Sequence, residues 1–206
     1  MERPRIVAVY GSPRRRGNTA TLLMQAVAGA RDAGAAVDEI VLRDLKLSAC
    51  LEIYSCRQDG ECRIKDDFQG VRAKVLAAAG LMLASPIFYY AVSAHTKILM
   101  DRFHSLWVKK TWTANRESAP VVRRKGRFIS AGATRGKRLF DGTLLSVRYF
   151  FDTLDMDLWK ALLYRGLEHE GEAQAHPDYM NEAYQAGRDL AEALRAEAPS
   201  ASTANL

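Results

Sequence analysis

The chain has 206 residues, a length typical of a single domain that buries its own core without metals or disulfides. Its composition, 48% hydrophobic and 26% charged, excludes disordered, collagen-like and disulfide-scaffold proteins. A formal net charge of +6 favours an anionic partner, namely a nucleic acid, a membrane surface or a phosphorylated small molecule, without choosing among them.

The chain opens with a strand, a helix and a second strand. The β-branched run Arg5–Tyr10 predicts a buried strand that ends at a Gly-Ser-Pro turn. Apolar residues at helical spacing predict a helix from Thr19, with Asn18 as its N-cap and Gly34 at its end. The segment Val37–Leu42 predicts a second strand, and its acidic residues place that strand at a sheet edge.

Localisation is inferred from the N-terminus and the cysteines. The apolar run before Gly11 is too short for the core of a signal peptide. The three cysteines are an odd number confined to one short segment, which is not a disulfide framework. We therefore expect a cytoplasmic protein.

The longest apolar stretch, Val75–Val92, raises the question of a membrane span. Gly80 and the Ser85-Pro86 pair interrupt it, and a spanning helix needs unbroken backbone hydrogen bonds. The stretch instead predicts the end of a helix capped by Asp66-Asp67, followed by a uniformly apolar central strand over Leu81–Ala84. No membrane partner is expected.

The second half of the chain continues the alternation. Five strands alternating with five helices predict an α/β protein with a parallel sheet covered on both faces. We expect one domain over residues 1–198 and a loose polar tail over 199–206. The remaining elements are a Ser93-capped helix through Leu106, a polar excursion over Thr111–Lys125, a strand over Arg127–Ala131, a helix over Phe140–Leu154, a strand within Met156–Tyr164 and a closing helix over Tyr179–Arg195.

Ligands of open parallel sheets bind beyond the carboxyl ends of the strands, so the loop after the first strand is the first candidate site. Residues Gly11–Thr19 combine small residues, hydroxyls and a helix N-terminus, which together make an anion cradle. The loop matches neither the dinucleotide fingerprint GxGxxG nor a Walker loop, so a phosphate monoester fits it better. A polar turn with a helix cap remains the alternative.

Two further loops end at the same edge of the predicted sheet. Residues Ser85–Ser93 contain three aromatics where a connection is normally polar, which favours a planar heterocycle. Packing under a neighbouring loop or in a subunit contact explains them equally well. The loop Gly132–Lys137 is again glycine-rich and basic.

Basic residues cluster at Arg14–Arg16, Arg123–Arg127 and Arg135–Arg138. Each cluster taken alone is explained equally well by solvated loop charges. No ribonucleoprotein signature, zinc-finger spacing or basic zipper accompanies them, so no nucleic-acid partner is expected.

Taken together, these motifs resemble the NADPH-dependent FMN reductase and iron-sulfur flavoprotein group of flavodoxin-like proteins. The resemblance implies a three-layer α/β/α sandwich with a five-stranded parallel sheet in the order 2-1-3-4-5 and FMN at its strand ends. It rests on Gly11-Ser12-Pro13-Arg14 with Gly17-Asn18-Thr19, the cysteine segment running into Ile64–Asp67, Ser85–Tyr89, and Lys97 with Asp101-Arg102. The cofactor-binding residues it implies are Ser12, Arg14, Gly17, Asn18 and Thr19 at the phosphate, and Pro86, Ile87, Phe88, Tyr89, Ala133, Thr134 and Gly136 around the ring.

The function implied is an FMN-dependent oxidoreductase. Hydride would pass from NADPH or NADH to the flavin and on to a second, small-molecule or quinone-like acceptor. The resemblance also implies a homodimer or homotetramer, and no catalytic acid, base or nucleophile is assigned. Two alternatives are an FMN electron carrier that serves protein partners and a nucleic-acid-binding module.

The cysteine segment departs from the family pattern. Iron-sulfur flavoproteins of this group carry four cysteines spaced C-x2-C-x2-C-x5-C, and aligned on Cys50, Cys56 and Cys62 this chain has Ile53 at the second. A cubane cluster normally takes four thiolates, so we expect no metal. A three-cysteine cluster with an outside ligand and a zinc site completed by a histidine are the alternatives.

The histidines, the tryptophans and the Asp101-Arg102 pair are predicted to have structural rather than catalytic roles. The four histidines form no metal-binding pair and are expected in packing or surface positions, with contact between His95 and the flavin as the alternative. The three tryptophans, Trp107, Trp112 and Trp159, are expected in the core or an interface. Asp101-Arg102 is expected to form a helix-surface pair.

Overall fold

The computed structural model describes residues 3–113 and 124–197. A five-stranded parallel sheet with the order β2-β1-β3-β4-β5 forms its centre, as predicted. The strands are β1 (Arg5–Tyr10), β2 (Ala36–Val41), β3 (Gly80–Pro86), β4 (Arg124–Gly132) and β5 (Met156–Arg165). The helices are α1 (Asn18–Asp32), α2 (Phe68–Ala77), α3 (Ala94–Arg102), α4 (His104–Val108), α5 (Asp141–Thr153) and α6 (Pro177–Glu197).

Helices cover both faces of the sheet and make the predicted three-layer sandwich. Helices α1 and α6 pack on one face, where Leu22 and Leu190 are fully buried. Helices α2 to α5 pack on the other, around Phe68, Phe103 and Phe151. Strand β3 is buried along almost its whole length, which confirms that it is a central strand, and β2 lies at an edge. This topology brings the carboxyl ends of β1, β3, β4 and β5 to one side of the molecule.

Several helix boundaries differ from the prediction, and two of the differences have a structural reason. Helix α1 begins at Asn18 with Gly17 as its N-cap, because the Asn18 side chain is bound elsewhere. The helix capped by Ser93 is interrupted at Phe103, whose N–H is shared between the carbonyls of Leu99 and Met100 at 3.3 and 3.1 Å. The Ser93 cap itself is confirmed, since its Oγ accepts from the Thr96 N–H at 3.2 Å.

Part of the second basic cluster is structural. Strand β4 starts at Arg124, whose guanidinium donates to the carbonyls of Val75 and Ala78 at the end of α2, at 3.0 and 2.8 Å. Arg127 is 1% exposed and stacks on Trp159 at 4.5 Å from the ring centroid. Arg127 is therefore shielded from an external polyanion by burial, and the Arg124 guanidinium is engaged by backbone carbonyls.

Some predictions concern residues that are not described. The polar excursion falls largely on residues 114–123, and the tail on 199–206, both outside the described residues. Within residues 3–113 and 124–197, no helix is long and apolar enough to cross a membrane.

Candidate functional site

A cavity of about 200 Å³ lies at the carboxyl edge of the sheet. Loops after four strands, β1, β3, β4 and β5, contribute to it. Its predicted lining residues are Ser12, Arg14, Gly17, Asn18, Thr19, Pro86, Ile87, Phe88 and Ala133. Tyr89, Thr134 and Gly136 do not line it, and they are exposed.

The loop after β1 forms one wall and has the geometry of an anion cradle. Its turn is closed by hydrogen bonds from the Arg14 N–H to Ser12 Oγ, 3.1 Å, and from the Gly17 N–H to the Arg14 carbonyl, 3.3 Å. A Cβ on Gly17 would lie 3.0 Å from Ser12 Oγ, so the close turn favours glycine there. Helix α1 starts immediately afterwards, and the first N–H groups of a helix have no carbonyl partner within it. These donors and the dipole suit a phosphate.

Asn18 joins this cradle to the loop after β5. Its Nδ2 donates to the His169 carbonyl at 2.9 Å, and its Oδ1 accepts from the Ala173 N–H at 3.0 Å. The Arg14 guanidinium adds a bond to the Glu168 carbonyl at 3.1 Å. The Asn18 side chain is therefore a brace between two loops, and the N-cap predicted for it is wrong.

Sequence reasoning missed the loop after β5. Leu167 and Glu168 line the cavity together with Pro13, Ala131 and Gly132. The available signal was Gly166, which follows β5 directly and has a φ of +76°. A left-handed glycine at the end of a fifth parallel strand points to another loop at the same edge.

The loop after β3 supplies an apolar wall. Ile87 is tied to β4 by its N–H, which donates to the Ala131 carbonyl at 3.0 Å. Phe88 and Ala91 exchange two backbone hydrogen bonds of 2.9 Å, which close a tight turn around the two tyrosines. Tyr89 and Tyr90 have φ values of 49° and 61°, a conformation unfavourable for aromatic residues. Phe88 therefore faces the cavity, and Tyr89 is fully exposed at the tip.

Buried serines fix these loops to one another. Ser93 Oγ donates to the Gly11 carbonyl at 2.5 Å, and the Ser93 N–H donates to Ser85 Oγ at 2.9 Å. Ser130 Oγ donates to the Ser85 carbonyl at 2.7 Å. All three serines are at most 1% exposed. The network holds the cradle and the apolar wall in a fixed relation before any ligand arrives.

The cavity is lined mainly by groups that can bind a ligand, and few of its side chains could act as a catalytic acid or base. Among its lining side chains, Arg14 and Glu168 are the charged ones. His95 does not line it. His104 stacks on Trp107, and His176 stacks on Tyr179, as expected of packing residues. The arrangement therefore suits positioning of a phosphorylated, partly apolar ligand.

The cysteine segment is held by a buried arginine. Arg102 is 1% exposed and donates to both Asp66 carboxylate oxygens, at 2.5 and 3.1 Å. It also donates to Cys62 Sγ at 3.3 Å. Asp101 pairs instead with Lys97 at 2.6 Å. The expected surface pair of Asp101 with Arg102 is wrong, because Arg102 is buried against Asp66 while Asp101 pairs with Lys97 at the surface.

The segment does not fit a four-thiolate cluster. Cys50, Cys56 and Cys62 are free, half-buried thiols around a cavity of about 30 Å³, which Ile53 also lines. Burial raises the pKa of the Cys56 thiol. It outweighs a hydrogen bond from the backbone of Cys56 itself, which lowers that pKa. Within the described part of the chain, no three His, Cys, Asp or Glu side chains are arranged to hold a metal ion. With one thiolate missing, the segment lacks the ligand set of a cubane cluster.

A larger hollow than this cavity lies elsewhere among the described residues. A groove of about 680 Å³ runs between α3, α4 and α5 and is lined by Lys97, Trp107 and Tyr149 among others. It contains none of the predicted cofactor-binding residues. Trp107 and Trp159 are 42% and 43% exposed, so neither belongs to the core; the side chain of Trp112 is not described.

Comparison with known families gives one match over most of the chain. The model of the NADPH-dependent FMN reductase family matches residues 4–156. An iron-sulfur flavoprotein of Methanocaldococcus jannaschii is 35% identical over 102 residues, which are 50% of this chain and 53% of the relative. One of Methanosarcina thermophila is 26% identical over 131 residues, 64% of each chain. The chain thus spans about half to two thirds of these relatives.

Solved structures share the fold at low identity. A flavone reductase superposes with a TM-score of 0.68 at 20% identity, over 93% of this chain and 63% of that one. The NAD(P)H:quinone oxidoreductase of Methanothermobacter marburgensis gives a TM-score of 0.66 at 16% identity, over 92% and 98%. At these identities the likeness shows a common fold.

Proposed function

Because the chain belongs to the NADPH-dependent FMN reductase family, we propose that its carboxyl-edge cavity binds FMN and that the protein is an FMN-dependent oxidoreductase. One observation carries the proposal: the anion cradle of the β1 loop and the apolar wall of the β3 loop line the same cavity. A phosphate and a flat apolar ring are the two ends of FMN. The Gly17 turn and the first N–H groups of α1 provide the fit to the phosphate.

Each part of the site has an assigned role. Ser12, Arg14, Gly17, Asn18 and Thr19 would hold the phosphate, with Asn18 acting through its backbone and through the brace to the β5 loop. Pro86, Ile87 and Phe88 would support the ring on one side, and Ala133 on the other. Tyr89, Thr134 and Gly136 belong to the exposed rim, where they would meet the ring only at its solvent side.

FMN supplies the redox chemistry when bound, by accepting a hydride and passing electrons onward. The protein contributes position and charge. Arg14 compensates the phosphate charge, and Arg135 adds a positive charge near Gly166, to which its guanidinium lies close. The cavity is smaller than a typical enclosed ligand site, so the ring would stay open to solvent and to a second substrate.

The electron donor we propose is NADPH or NADH, and the acceptor a small molecule of quinone type. The family description supports a nicotinamide donor, and the similar fold of a solved NAD(P)H:quinone oxidoreductase supports the acceptor class. An open ring is compatible with two substrates that use it in turn.

The test is spectroscopic. After incubation with FMN and gel filtration, the purified protein is expected to retain the absorbance band of the flavin. Addition of NADPH or NADH under anaerobic conditions is then expected to bleach this band, because the bound flavin is reduced. Retention of flavin without bleaching by either nucleotide would instead favour an electron carrier that serves protein partners. A protein that retains no flavin but binds nucleic acid with steep salt dependence would contradict the proposal.

We also propose a homodimer or homotetramer. Apolar side chains at the 680 Å³ groove and along α5 support it, since Trp107, Leu145 and Tyr149 are 42%, 59% and 70% exposed. Light scattering of the flavin-loaded protein is expected to give two or four chains. A monomer at micromolar concentration would contradict the assembly without affecting the flavin site.

A further inference from the structure

The cysteine segment carries three thiols that the proposed function does not use. Cys50, Cys56 and Cys62 are free and half-buried, and all three line one cavity of about 30 Å³. A hollow of this size has room for about one or two water molecules, so the side chains that line it lie close together. None of the residues that line it lines the carboxyl-edge cavity. The thiols therefore form a separate cluster of reactive groups.

The path of the chain brings Cys56 and Cys62 toward each other. The Cys56 carbonyl accepts from the Gly60 N–H at 2.7 Å, and Gly60 has a φ of +78°, which turns the chain back. The Asp59 carboxylate then accepts from the Glu61 N–H at 2.9 Å and closes the next turn. Burial is the main cause of the raised pKa of Cys56, and of its two neighbouring thiols Cys62 contributes more than Cys50. Cys62 is thus the thiol that interacts more strongly with Cys56.

Cys62 differs from the other thiols in its contact with a cation. The Nε of Arg102 donates to Cys62 Sγ at 3.3 Å, and Arg102 is 1% exposed. The thiolate is the attacking form of cysteine, and an arginine beside the sulfur favours it. The half-buried position of Cys62 leaves it accessible to a small oxidant. These features favour Cys62 as the thiol that reacts first.

The segment can change at Cys62 without losing its attachment to α3. Arg102 keeps both carboxylate oxygens of Asp66 and the carbonyls of Ser48 and Ile64 when the sulfur is taken away. Between residues 45 and 67, all of which are described, the regular structure consists of one short 3-10 turn, Ser55–Arg57. A small shift of Cys56 toward Cys62 therefore breaks no helix and no strand.

We propose that Cys56 and Cys62 form a reversible disulfide when the protein meets a peroxide, with Cys62 as the attacking thiol. The Cys62 thiolate attacks hydrogen peroxide, so that an S–O bond forms, the O–O bond breaks and hydroxide leaves. Cys56 then displaces the oxygen: the S–S bond forms, the S–O bond breaks, and water leaves with the Cys56 proton. Hydroxide takes up the proton that Cys62 lost. Two thiols and one peroxide thus give one disulfide and two water molecules, and a dithiol reductant reverses the change.

Thiol counting and peptide mapping test the proposal on the full chain. The reduced protein is expected to show three free thiols after denaturation, and one after treatment with hydrogen peroxide. Cleavage after Glu52 and after Arg57 puts the three cysteines on separate peptides, and the linked pair is expected to contain Cys56 and Cys62. An unchanged thiol count, a link that includes Cys50, or links formed only between chains would overturn the proposal.

Serine variants test the pairing independently. Cys50→Ser is the matched control, because it removes a thiol from the same cavity and is expected to keep the disulfide. Cys56→Ser and Cys62→Ser are expected to abolish it. The map of the wild-type protein decides the pairing even where a variant fails to fold.

A probe specific for sulfenic acid tests the order of attack. Cys56→Ser leaves the oxidised Cys62 without its partner, so it is expected to bind about fivefold more probe than Cys62→Ser. Equal labelling of these two variants would overturn the assignment of Cys62 as the attacking thiol. Neither measurement requires bound flavin, so failure of this proposal leaves the proposed function intact.

Discussion

At the scale of single residues, Arg102 shows how one buried charge organises a segment with little regular structure. Its guanidinium also donates to the carbonyls of Ser48 and Ile64, at 2.9 and 3.1 Å, so it joins both ends of the cysteine segment to α3. Its side chain is 0% exposed and that of Asp66 is 9% exposed. A buried cation of this kind is stable only while its partner carries the opposite charge.

We predict that Asp66→Asn lowers the free energy of unfolding by about 3 kcal/mol at pH 7, because it leaves the Arg102 charge buried without compensation. Burial raises the pKa of Asp66, but hydrogen bonds from Arg102 and from backbone N–H groups outweigh it, so the net pKa lies below the ordinary 3.8. The stabilisation is therefore complete above about pH 4 and is lost as the pH falls through the folded-state pKa.

Denaturant unfolding at pH 7 and at successively lower pH checks this prediction, and the difference between wild type and variant is expected to shrink on acidification. Asp101→Asn is the control, because its pair with Lys97 is exposed at 44% and 55% and is expected to contribute less than about 0.5 kcal/mol. Equal effects of the two substitutions would contradict the role given to the buried pair.

A second prediction at this scale concerns Asn18, whose side chain connects the β1 loop to the loop after β5. Asn18→Ala is expected to lower stability by about 1–3 kcal/mol, because the N–H of the fully buried Ala173 loses its acceptor. FMN affinity is expected to fall as well, since the loop that carries Leu167 and Glu168 is released from the cradle. Gln174→Ala, which removes only a 3.4 Å contact to Thr21 at the same junction, is expected to change neither quantity appreciably.

At the scale of elements, the β3–α3 connection stores strain beside the proposed flavin site. Tyr89 and Tyr90 occupy the two central positions of a turn that needs positive φ at both, where Asn and Gly are preferred. A left-handed conformation costs a residue with a Cβ roughly 1–2 kcal/mol. Tyr89 recovers none of this by packing, because it is 100% exposed. A costly residue without packing at a candidate site suggests a ligand contact.

We predict that Tyr89→Asn raises the stability of the flavin-free protein by about 0.5–1 kcal/mol, because Asn tolerates the left-handed conformation better. The same substitution is expected to weaken FMN binding, since it removes a rim aromatic. Thermal unfolding and flavin titration measure the two effects. Leu76→Asn, at a 36% exposed position inside α2, is expected to be neutral or slightly destabilising. A destabilised Tyr89→Asn protein would contradict the strain argument.

At the scale of the whole molecule, the candidate site joins loops from four strands, so a bound ligand stabilises the fold as a unit. Only a folded sheet brings Ser12, Phe88, Ala133 and Leu167 to one cavity. A ligand that binds the folded chain alone adds about 2.7 kcal/mol at a concentration one hundred times its dissociation constant. The effect reports on the assembled site and requires no turnover.

We predict that FMN at this concentration raises the melting temperature by about 5–10 °C for a chain of this length. Riboflavin at the same concentration is expected to give a much smaller shift, because it lacks the phosphate that the β1 loop binds. Differential scanning calorimetry measures both. Equal shifts for the two compounds would show that the cradle does not bind the phosphate.

The sequence by itself determined the periodic features of this protein. All five strands and three of the four ligand loops follow from alternating patterns and from glycine, proline and aromatic residues within short segments, whereas the sheet order was implied by the family resemblance. Local patterns of this kind report which face of an element is buried, since one face of every helix and both faces of a central strand must be apolar.

Only the tertiary structure decided which polar groups meet. Arg102 bonds Asp66 and Cys62 across 36 and 40 positions, Asn18 bonds His169 across 151, and the β5 loop completes the cavity. Sequence spacing carries no information about such pairs, because the sheet and its crossovers set their distances.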